Sequence, residues 1–315
     1  MKIAVMGGAG YIGSTLLRFF FENNVDFVSI DNLTRGNYKH IRNIGIDGKN
    51  CLVLGDIRDN QLLEKACSGS DAIAHLAAIP GLMLCSQNPE EAISVNIFGT
   101  NQVLEVARKL DIEKVVFCSS AAVYGKPIQL PVDEQHQIRP LNLYGVTKLA
   151  GEKLMEVYHD TYGIDTICLR FGNVFGVGLY TNYETVIPKF IKQAFDQEPL
   201  TIYGDGSSSR DFVHVEDIVQ AISLALKSEG LGGDAFNVGG TTMNIGELAK
   251  LIIDAVERRT GKKGEIHYLP SRPGETKEFS YNTDKIRKNL GYEPRWSIEK
   301  GIEQITEYKI KQRNV

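Results

Sequence analysis

The sequence predicts an α/β fold, a doubly wound parallel sheet joined to a smaller discontinuous α/β lobe. Three observations predict it. A glycine cluster, Gly7, Gly8, Gly10 and Gly13, follows an apolar run that starts almost at the first residue. Short apolar runs then alternate with helical patterns through the first half, which calls for parallel strands with crossover helices on both faces. The length, 315 residues, suits one large α/β domain with room for a smaller lobe.

The first unit reads as strand, tight turn and helix. Ile3-Ala4-Val5-Met6 is the strand, and Leu16, Leu17, Phe19, Phe20 and Phe21 supply the apolar helical pattern. The glycines fit both Gly8-x-Gly10-x-x-Gly13 and Gly7-x-x-Gly10-x-x-Gly13. Glycine accepts the turn's backbone angles and lets the main chain approach a bound group. Tyr11 and Ile12 open the helix, whose free N–H groups and positive dipole end favour a pyrophosphate. A second strand, Val25–Ile30, ends at Asp31, where a carboxylate accepts from both ribose hydroxyls and repels a 2′-phosphate. The cofactor set of Gly7, Gly10, Tyr11, Ile12, Gly13, Asp31 and Asn32 therefore points to NAD. Arg35 nearby keeps NADP as the alternative, and a plain strand–turn–helix with a capping Asp is the bland one.

Composition excludes several classes. The net charge of −4 and ordinary apolar (43%) and charged (23%) fractions suit a globular protein and give no support for nucleic-acid binding. No run approaches the roughly 20 apolar residues of a membrane helix. The first apolar run goes straight into the glycine turn, unlike a signal peptide, so the expected location is the cytoplasm. The five cysteines lack C-x-x-C spacing and suit core packing. No His/Cys/Asp group has metal-ligand spacing, so no metal is expected. The basic tail Lys309–Arg313 reads as a solvated end.

Further strands follow in order. Cys51–Leu54 precedes Asp56 and Ile57, which sit past a strand's carboxyl end, where ligands bind in open sheets. Asp56 suits the adenine amino group, with Ile57 on the ring, or alternatively caps the helix Gln61–Ala66. Asp71–Ala78 ends in His75, a packing residue, and in Leu76, Ala77 and Ala78, small enough for a cofactor to lie against the backbone. A loop with Pro80, Gly81 and Pro89 leads to a helix from about Val95 to Leu110, where Asn96 stands out as a buried hydrogen-bonding residue. Lys114–Cys118 is the fifth strand, closed by Ser119–Gly125.

A helix opening near Leu143 carries Tyr144 and Lys148 at i and i+4, on one face. A phenol near neutrality needs a downward shift of about 3 units, roughly 4 kcal/mol. An ammonium one turn away and an oxidised nicotinamide both favour the phenolate, and Ser120 suits a proton relay. Tyr-x-x-x-Lys alone is weak. After a glycine loop and a Ser-bearing strand end it reads as a catalytic trio of Ser120, Tyr144 and Lys148. Beyond it come a strand Thr166–Phe171 with Asn173 after it, a helix Tyr183–Phe195, a strand Leu200–Tyr203 and a loop Gly204–Asp211. Then follow a helix Glu216–Leu226, a strand Ala235–Val238, a helix Ile245–Arg259 and a loop Ser271–Glu275. Arg210 and Arg272, on separate loops, suit a diphosphate; a surface ion pair is the lesser alternative for either alone.

Together these residues resemble the extended short-chain dehydrogenase/reductase family of nucleotide-sugar epimerases and dehydratases. The resemblance runs from Gly7–Gly13 through Asp31, Asp56-Ile57, His75–Ala78, Asn96, Ser119–Gly125, Tyr144–Lys148, Arg170–Asn173 and Tyr203–Asp217 to Asn237–Gly239 and Arg272–Glu275. It implies a Rossmann-type NAD domain over 1–172, with 211–240 returning to it. It implies a nucleotide-sugar lobe mainly from 173–210 and 241–315. It further implies a homodimer through helices around Phe98–Leu110 and Tyr144–Tyr162, and a UDP-sugar substrate. Asn173, Arg210 and Arg272 should meet the diphosphate side, Thr201 and Tyr203 the base, and Glu275 a ribose hydroxyl.

Within that family the pattern Ser120–Gly125 is most like the UDP-glucose/UDP-galactose 4-epimerases. Related 4,6-dehydratases carry an Asp-Glu pair directly after the hydroxyl residue, where this chain has Ala121-Ala122. Gly172, Cys118 and the apolar stretch Leu82–Cys85 depart from the usual pattern and bear on which sugar is used. Phe279, by the same analogy, closes the pocket against an N-acetyl group. The expectation is NAD-dependent 4-epimerisation of a UDP-hexose. A 4,6-dehydratase, 5-epimerase or keto-sugar reductase is the alternative, and a non-catalytic NAD(H)-sensing dimer the remote one.

Overall fold

A computed structural model describes residues 1–37, 41, 51–178, 185–271 and 277–313. Seven strands form the main sheet: β1 Lys2–Met6, β2 Asp26–Asp31, β3 Leu52–Leu54, β4 Ala72–His75, β5 Lys114–Ser120, β6 Asp165–Phe171 and, later in the chain, β10 Ala235–Val238. Every pairing is parallel, in the order β10-β6-β5-β4-β1-β2-β3. From β1 the chain winds outward through β2 and β3, then returns to place β4 on β1's other side. The crevice for a ligand opens at that reversal, beyond the carboxyl ends of β1 and β4.

Burial on both faces explains why the strands are apolar throughout rather than alternating. Ile3, Ala4, Val5 and Met6 are all fully covered. Helix α1 (Tyr11–Glu22) packs Leu16, Leu17 and Phe20 onto one face. The other face is covered by α2 (Asn60–Cys67), α5 (Thr100–Lys109) and α6 (Leu143–Tyr162). Two short helices, α3 (Leu82–Gln87) and α4 (Pro89–Ile93), run through a π-helical stretch, Ser94–Gly99, into α5.

The later segments add β7 (Asn173–Phe175), α7 (Val186–Asp196), β8 (Leu200–Tyr203), β9 (Ser209–His214) and α8 (Val215–Lys227), and beyond β10 come β11 (Thr241–Asn244), α9 (Ile245–Thr260) and β12 (Ile266–Leu269). Helices α10 (Asp284–Leu290) and α11 (Ile298–Arg313) end the chain. β7, β9 and β11 form a three-stranded sheet, and β8 pairs β12. A separate core lies here, built from Phe190 and Phe195 of α7, Leu248, Ile252 and Val256 of α9, and Ile302 and Ile305 of α11. Helix α8 joins α1 on its face of the main sheet.

Several local expectations need correction. Ser209–Asp211 is strand rather than loop, because β11 pairs antiparallel with it, Met243 opposite Arg210; that partner is distant in sequence and polar. The stretch after Gly81 is helical, with Pro89 at the first turn of α4, a position proline tolerates. The strand expected over Asp71–Ala78 ends at His75. Lys309–Arg313 closes α11. The expected helix start at Tyr183 and the loop residues Arg272 and Glu275 lie outside the described residues.

Candidate active site

The glycine turn divides its work among its members. Gly7 has φ +84 and a Cβ there would meet Ala77 N at 2.8 Å, so strand β4's exit packs directly on it. A Cβ at Gly13 would sit 2.1 Å from Gly7 O and 2.7 Å from Gly8 Cα, so glycine lets α1 close on the turn. A Cβ at Gly10 would meet only Gly7 O, at 3.4 Å; that side is open, and it borders the start of α1. Gly10 caps α1 without any side-chain hydrogen bond, so the first N–H groups remain available to an anion. This cradle fits the diphosphate of a dinucleotide. The Tyr11 hydroxyl donates to Gly176 O (2.6 Å), tying the turn to the segment after β7.

Asp31 ends β2 and is buried. Its oxygens accept from Ala9 N (2.9 Å) and Leu33 N (2.8 Å), which aims the carboxylate from the glycine turn's own backbone. Burial pushes its pKa up while these two bonds oppose it. Asp56 is gripped by Arg58 through Nε (2.8 Å) and Nη2 (2.8 Å), and by Asn32 Nδ2 (3.1 Å). These bonds pull its pKa down to about 2. The α2 cap is Asp59, which accepts from Leu62 N, so Asp56 is not the cap. Ile57 is packed into the core.

Asn96 sits in the π-helical stretch, a deformation common near functional sites. Its Oδ1 accepts from Ile79 N (2.7 Å), and its Nδ2 donates to Ile79 O (3.0 Å) and Thr147 Oγ1 (3.0 Å). The side chain thus splices the exit of β4, with half-buried Leu76, Ala77 and Ala78, to the helix bearing Tyr144. His75 is a packing residue: fully buried, bonded to Thr100 Oγ1 at 2.9 Å and pushed down to about 3 by burial.

Ser120 ends β5, and Tyr144 and Lys148 project from the first turns of α6, which Asn142 caps through Gly145 N. The Ser120 hydroxyl accepts from Ala122 N (3.2 Å), and hydrogen bonding from Ser120 favours the Tyr144 phenolate. Lys148 is buried and donates from Nζ to Cys118 O (2.7 Å), 5.8 Å from the Tyr144 ring centroid. Burial pushes Tyr144 up to about 12 and Lys148 down to about 8. The expectation that Lys148 brings the phenol toward neutrality is therefore not met by the protein groups alone, since desolvation outweighs them. Ala121 and Ala122 open a short 3₁₀ turn directly after Ser120. Burial keeps the thiol of neighbouring Cys118 neutral, at about 12.

The expected substrate contacts are brought onto two small sheets. Asn173 lies exposed on β7, beside β9 with half-buried Arg210, which donates to Ser209 O (2.8 Å). Thr201 and Tyr203 share one half-buried face of β8, while Leu200 and Ile202 face the core. Phe279 packs in an aromatic cluster with Tyr124 and Tyr281. Gly172 has a local reason: a Cβ there would meet Asp211 O and Oδ1 at 3.0 Å. Sequence reasoning missed Glu152, buried on α6. It is i+4 from Lys148 and i+8 from Tyr144, a spacing that by itself does not tell a buried glutamate from a solvated one. Among the described residues no cluster could hold a metal ion, and no helix is long and apolar enough to cross a membrane.

Residues 3–239 match the family described as the NAD dependent epimerase/dehydratase family. A putative UDP-glucose 4-epimerase of Methanocaldococcus jannaschii is 37% identical over 310 residues, covering 97% of each chain. The UDP-glucose 4-epimerase of Thermotoga maritima, solved with UDP-glucose, superposes with a TM-score of 0.90 at 29% identity, over 99% of this chain and 100% of that one. The dTDP-glucose 4,6-dehydratase DesIV of Streptomyces venezuelae, solved with NAD and TYD bound, superposes with a TM-score of 0.91 at 28% identity, over 100% of this chain and 98% of that one. The glycine cradle, the carboxylate at the end of β2 and the fold they sit in agree with these likenesses: the chain belongs to the NAD dependent epimerase/dehydratase family.

Proposed function

We propose that the protein is an NAD-dependent 4-epimerase of a UDP-hexose of the glucose/galactose type, acting through a transient 4-keto sugar. One observation carries the choice within the family. The two side chains directly after Ser120 are Ala121 and Ala122, which can neither donate nor accept the proton that water elimination requires. The full-length likeness to a putative UDP-glucose 4-epimerase supports the same reading.

Gly7, Gly10, Gly13 and the α1 N–H groups hold the NAD diphosphate, Asp31 its adenosine ribose, and Ala77 and Ala78 the backbone wall beside the nicotinamide half. Bound there, NAD supplies the hydride acceptor and, in its oxidised form, a positive charge. Tyr144 takes the proton from the sugar 4-hydroxyl, Ser120 relays it, and Lys148 supplies a nearby cation. The same phenol gives the proton back once the sugar has presented its other face. Thr201, Tyr203, Asn173 and Arg210 hold the nucleotide, with Arg272 and Glu275 completing the set. A homodimer fits the exposed apolar side chains Phe98 (50%), Val157 (53%) and Tyr162 (51%) near the two helices.

The test is turnover of UDP-glucose and UDP-galactose by the wild type and Tyr144→Phe. The variant should fold normally and lose at least about 100-fold in kcat, the usual contribution of a positioned acid–base group. Near-wild-type activity in Tyr144→Phe would remove Tyr144 from the mechanism. A stable 4-keto product, or stoichiometric release of NADH, would count against 4-epimerisation.

A further inference from the structure

The catalytic helix carries a third polar residue on its Tyr144 face. Glu152 is 6% exposed. Its carboxylate accepts from Arg170 through Nε (2.9 Å) and Nη2 (2.7 Å), a bidentate pair buried between α6 and β6. It also accepts from the Ser119 hydroxyl at 2.5 Å. Arg170 continues the network, donating from Nη1 to the Tyr124 hydroxyl (2.7 Å), which in turn donates to Asn237 Oδ1 (2.7 Å).

The third bond is the informative one. Arg170 gives Glu152 a bidentate counter-charge, so the neutral Ser119 hydroxyl is not required to balance it. What Ser119 adds is a fixed point on β5. Lys148 already ties Cys118 O to the helix, and Glu152 ties the next residue. Two consecutive residues at the end of β5 are thereby held by two consecutive turns of α6. The residue after them is Ser120, at the strand end that meets the first turn of α6, where Gly145, next to Tyr144, packs directly on Ala122 O. Tethering of this kind restricts a reacting pair to its working separation, where an error of about 1 Å costs up to about 100-fold.

We propose that Glu152, acting through Ser119, is a positioning residue that holds Ser120 against Tyr144 for proton transfer. Its kinetic consequence rests on the epimerase reading; its effect on the phenol does not. The groups that bear on the phenol are Ser120 and Cys118 from the β5 end, Cys85 from α3, and Lys148 on its own helix. Burial keeps both thiols neutral. Glu152 is faced by Ser119 and Arg170, with Cys168 also on β6 and Lys148 a turn earlier. Because the Ser120 hydrogen bond favours the phenolate, slackening Ser120 raises the pH at which Tyr144 ionises.

Ser119→Ala tests this, since it leaves the Glu152–Arg170 pair intact. The measurement is tyrosinate absorbance against pH in the NAD-loaded full-length protein, with Tyr144→Phe subtracted to isolate the one phenol. Ser119→Ala should keep the wild-type unfolding temperature and move the Tyr144 titration up by about half a unit, a factor of about 3. With UDP-glucose it should lower kcat several-fold and leave KM within about twofold, the pattern of an interaction made in the transition state. Glu152→Gln should lose more alone, and adding Ser119→Ala to it should lose little further. An unshifted titration with wild-type kcat in Ser119→Ala overturns the proposal, as do losses that simply multiply in the double variant. If the wild type turns over no UDP-hexose, the epimerase reading fails, and the titration still decides whether Ser119 positions Ser120.

Discussion

Gly10→Ala and Gly13→Ala separate what the glycine turn does for folding from what it does for NAD. At Gly13 the added methyl would lie 2.1 Å from the Gly7 carbonyl oxygen and 2.7 Å from Gly8 Cα. Both are backbone atoms, so relief requires moving α1 off β1, an overpacking cost of about 1–3 kcal/mol. At Gly10 the backbone is extended, with φ −75 and ψ −179, which alanine adopts freely. Its Cβ meets nothing closer than Gly7 O at 3.4 Å, so stability should hold or rise by about 0.4–1 kcal/mol through the unfolded chain. The same methyl projects into the cradle. It should cost at least one charge-assisted hydrogen bond to the diphosphate, about 1.5–3 kcal/mol, or roughly 10- to 100-fold in Kd. Thermal unfolding of the apoprotein reads the first quantity and NAD titration calorimetry the second. Gly13→Ala should lose both stability and NAD affinity; Gly10→Ala should lose affinity alone. Wild-type NAD affinity in Gly10→Ala would refute the placement of the diphosphate at the start of α1.

Two further perturbations probe the site's supports. Asn96→Ala strips Ile79 N–H and C=O of their side-chain partner in a buried setting and should cost about 2–3 kcal/mol in chemical denaturation; a loss below about 0.5 kcal/mol would mean water replaces the amide without penalty. Asp56 is pulled from the ordinary aspartate range down to about 2, so its contribution is present above about pH 4 and disappears as the pH falls through 2. After discounting for solvent screening it is worth about 1 kcal/mol. Arg58→Ala should therefore lower stability at pH 7 and leave it nearly unchanged near pH 2, while an equal loss at both would show that Arg58 acts by packing.

The parts legible in the sequence are those whose signal is local. The glycine turn, Asp31, and the i, i+4 pair Tyr144 and Lys148 each occupy a few adjacent residues on one element, and the apolar strands of a doubly covered sheet declare themselves by composition. The illegible parts depend on partners far along the chain. Arg210 joins a strand only because Met243 lies opposite it. Asp56 is taken up by Arg58 and Asn32, and the cap passes to Asp59 three residues on. Asn96 was recognisable as a buried polar group, but its pairing with Ile79 and Thr147 follows from a π-helical turn that no spacing rule reports. Glu152 was hidden for a different reason. A glutamate in a helix is ordinary, and only the burial of Arg170 and Ser119 against it makes it exceptional.

The electrostatics of Tyr144 show why the phenol needs more than its neighbours in the chain. At about 12 it lies about 5 units above neutrality, roughly 7 kcal/mol against the phenolate. The Lys148 ammonium, 5.8 Å from the ring centroid, is worth about 3 kcal/mol at an effective dielectric near 20. A second unit charge at similar range, as an oxidised nicotinamide would carry, would be worth about the same. Lysine and cofactor charge together, about 6 kcal/mol, offset most of a deficit in which the Ser120 hydrogen bond is already counted. On the proposed mechanism Tyr144 would act as a base with the cofactor oxidised and revert toward an acid when that charge is lost. A 4-epimerase needs this alternation, since the proton removed as the hydride leaves C4 must be returned when the hydride does.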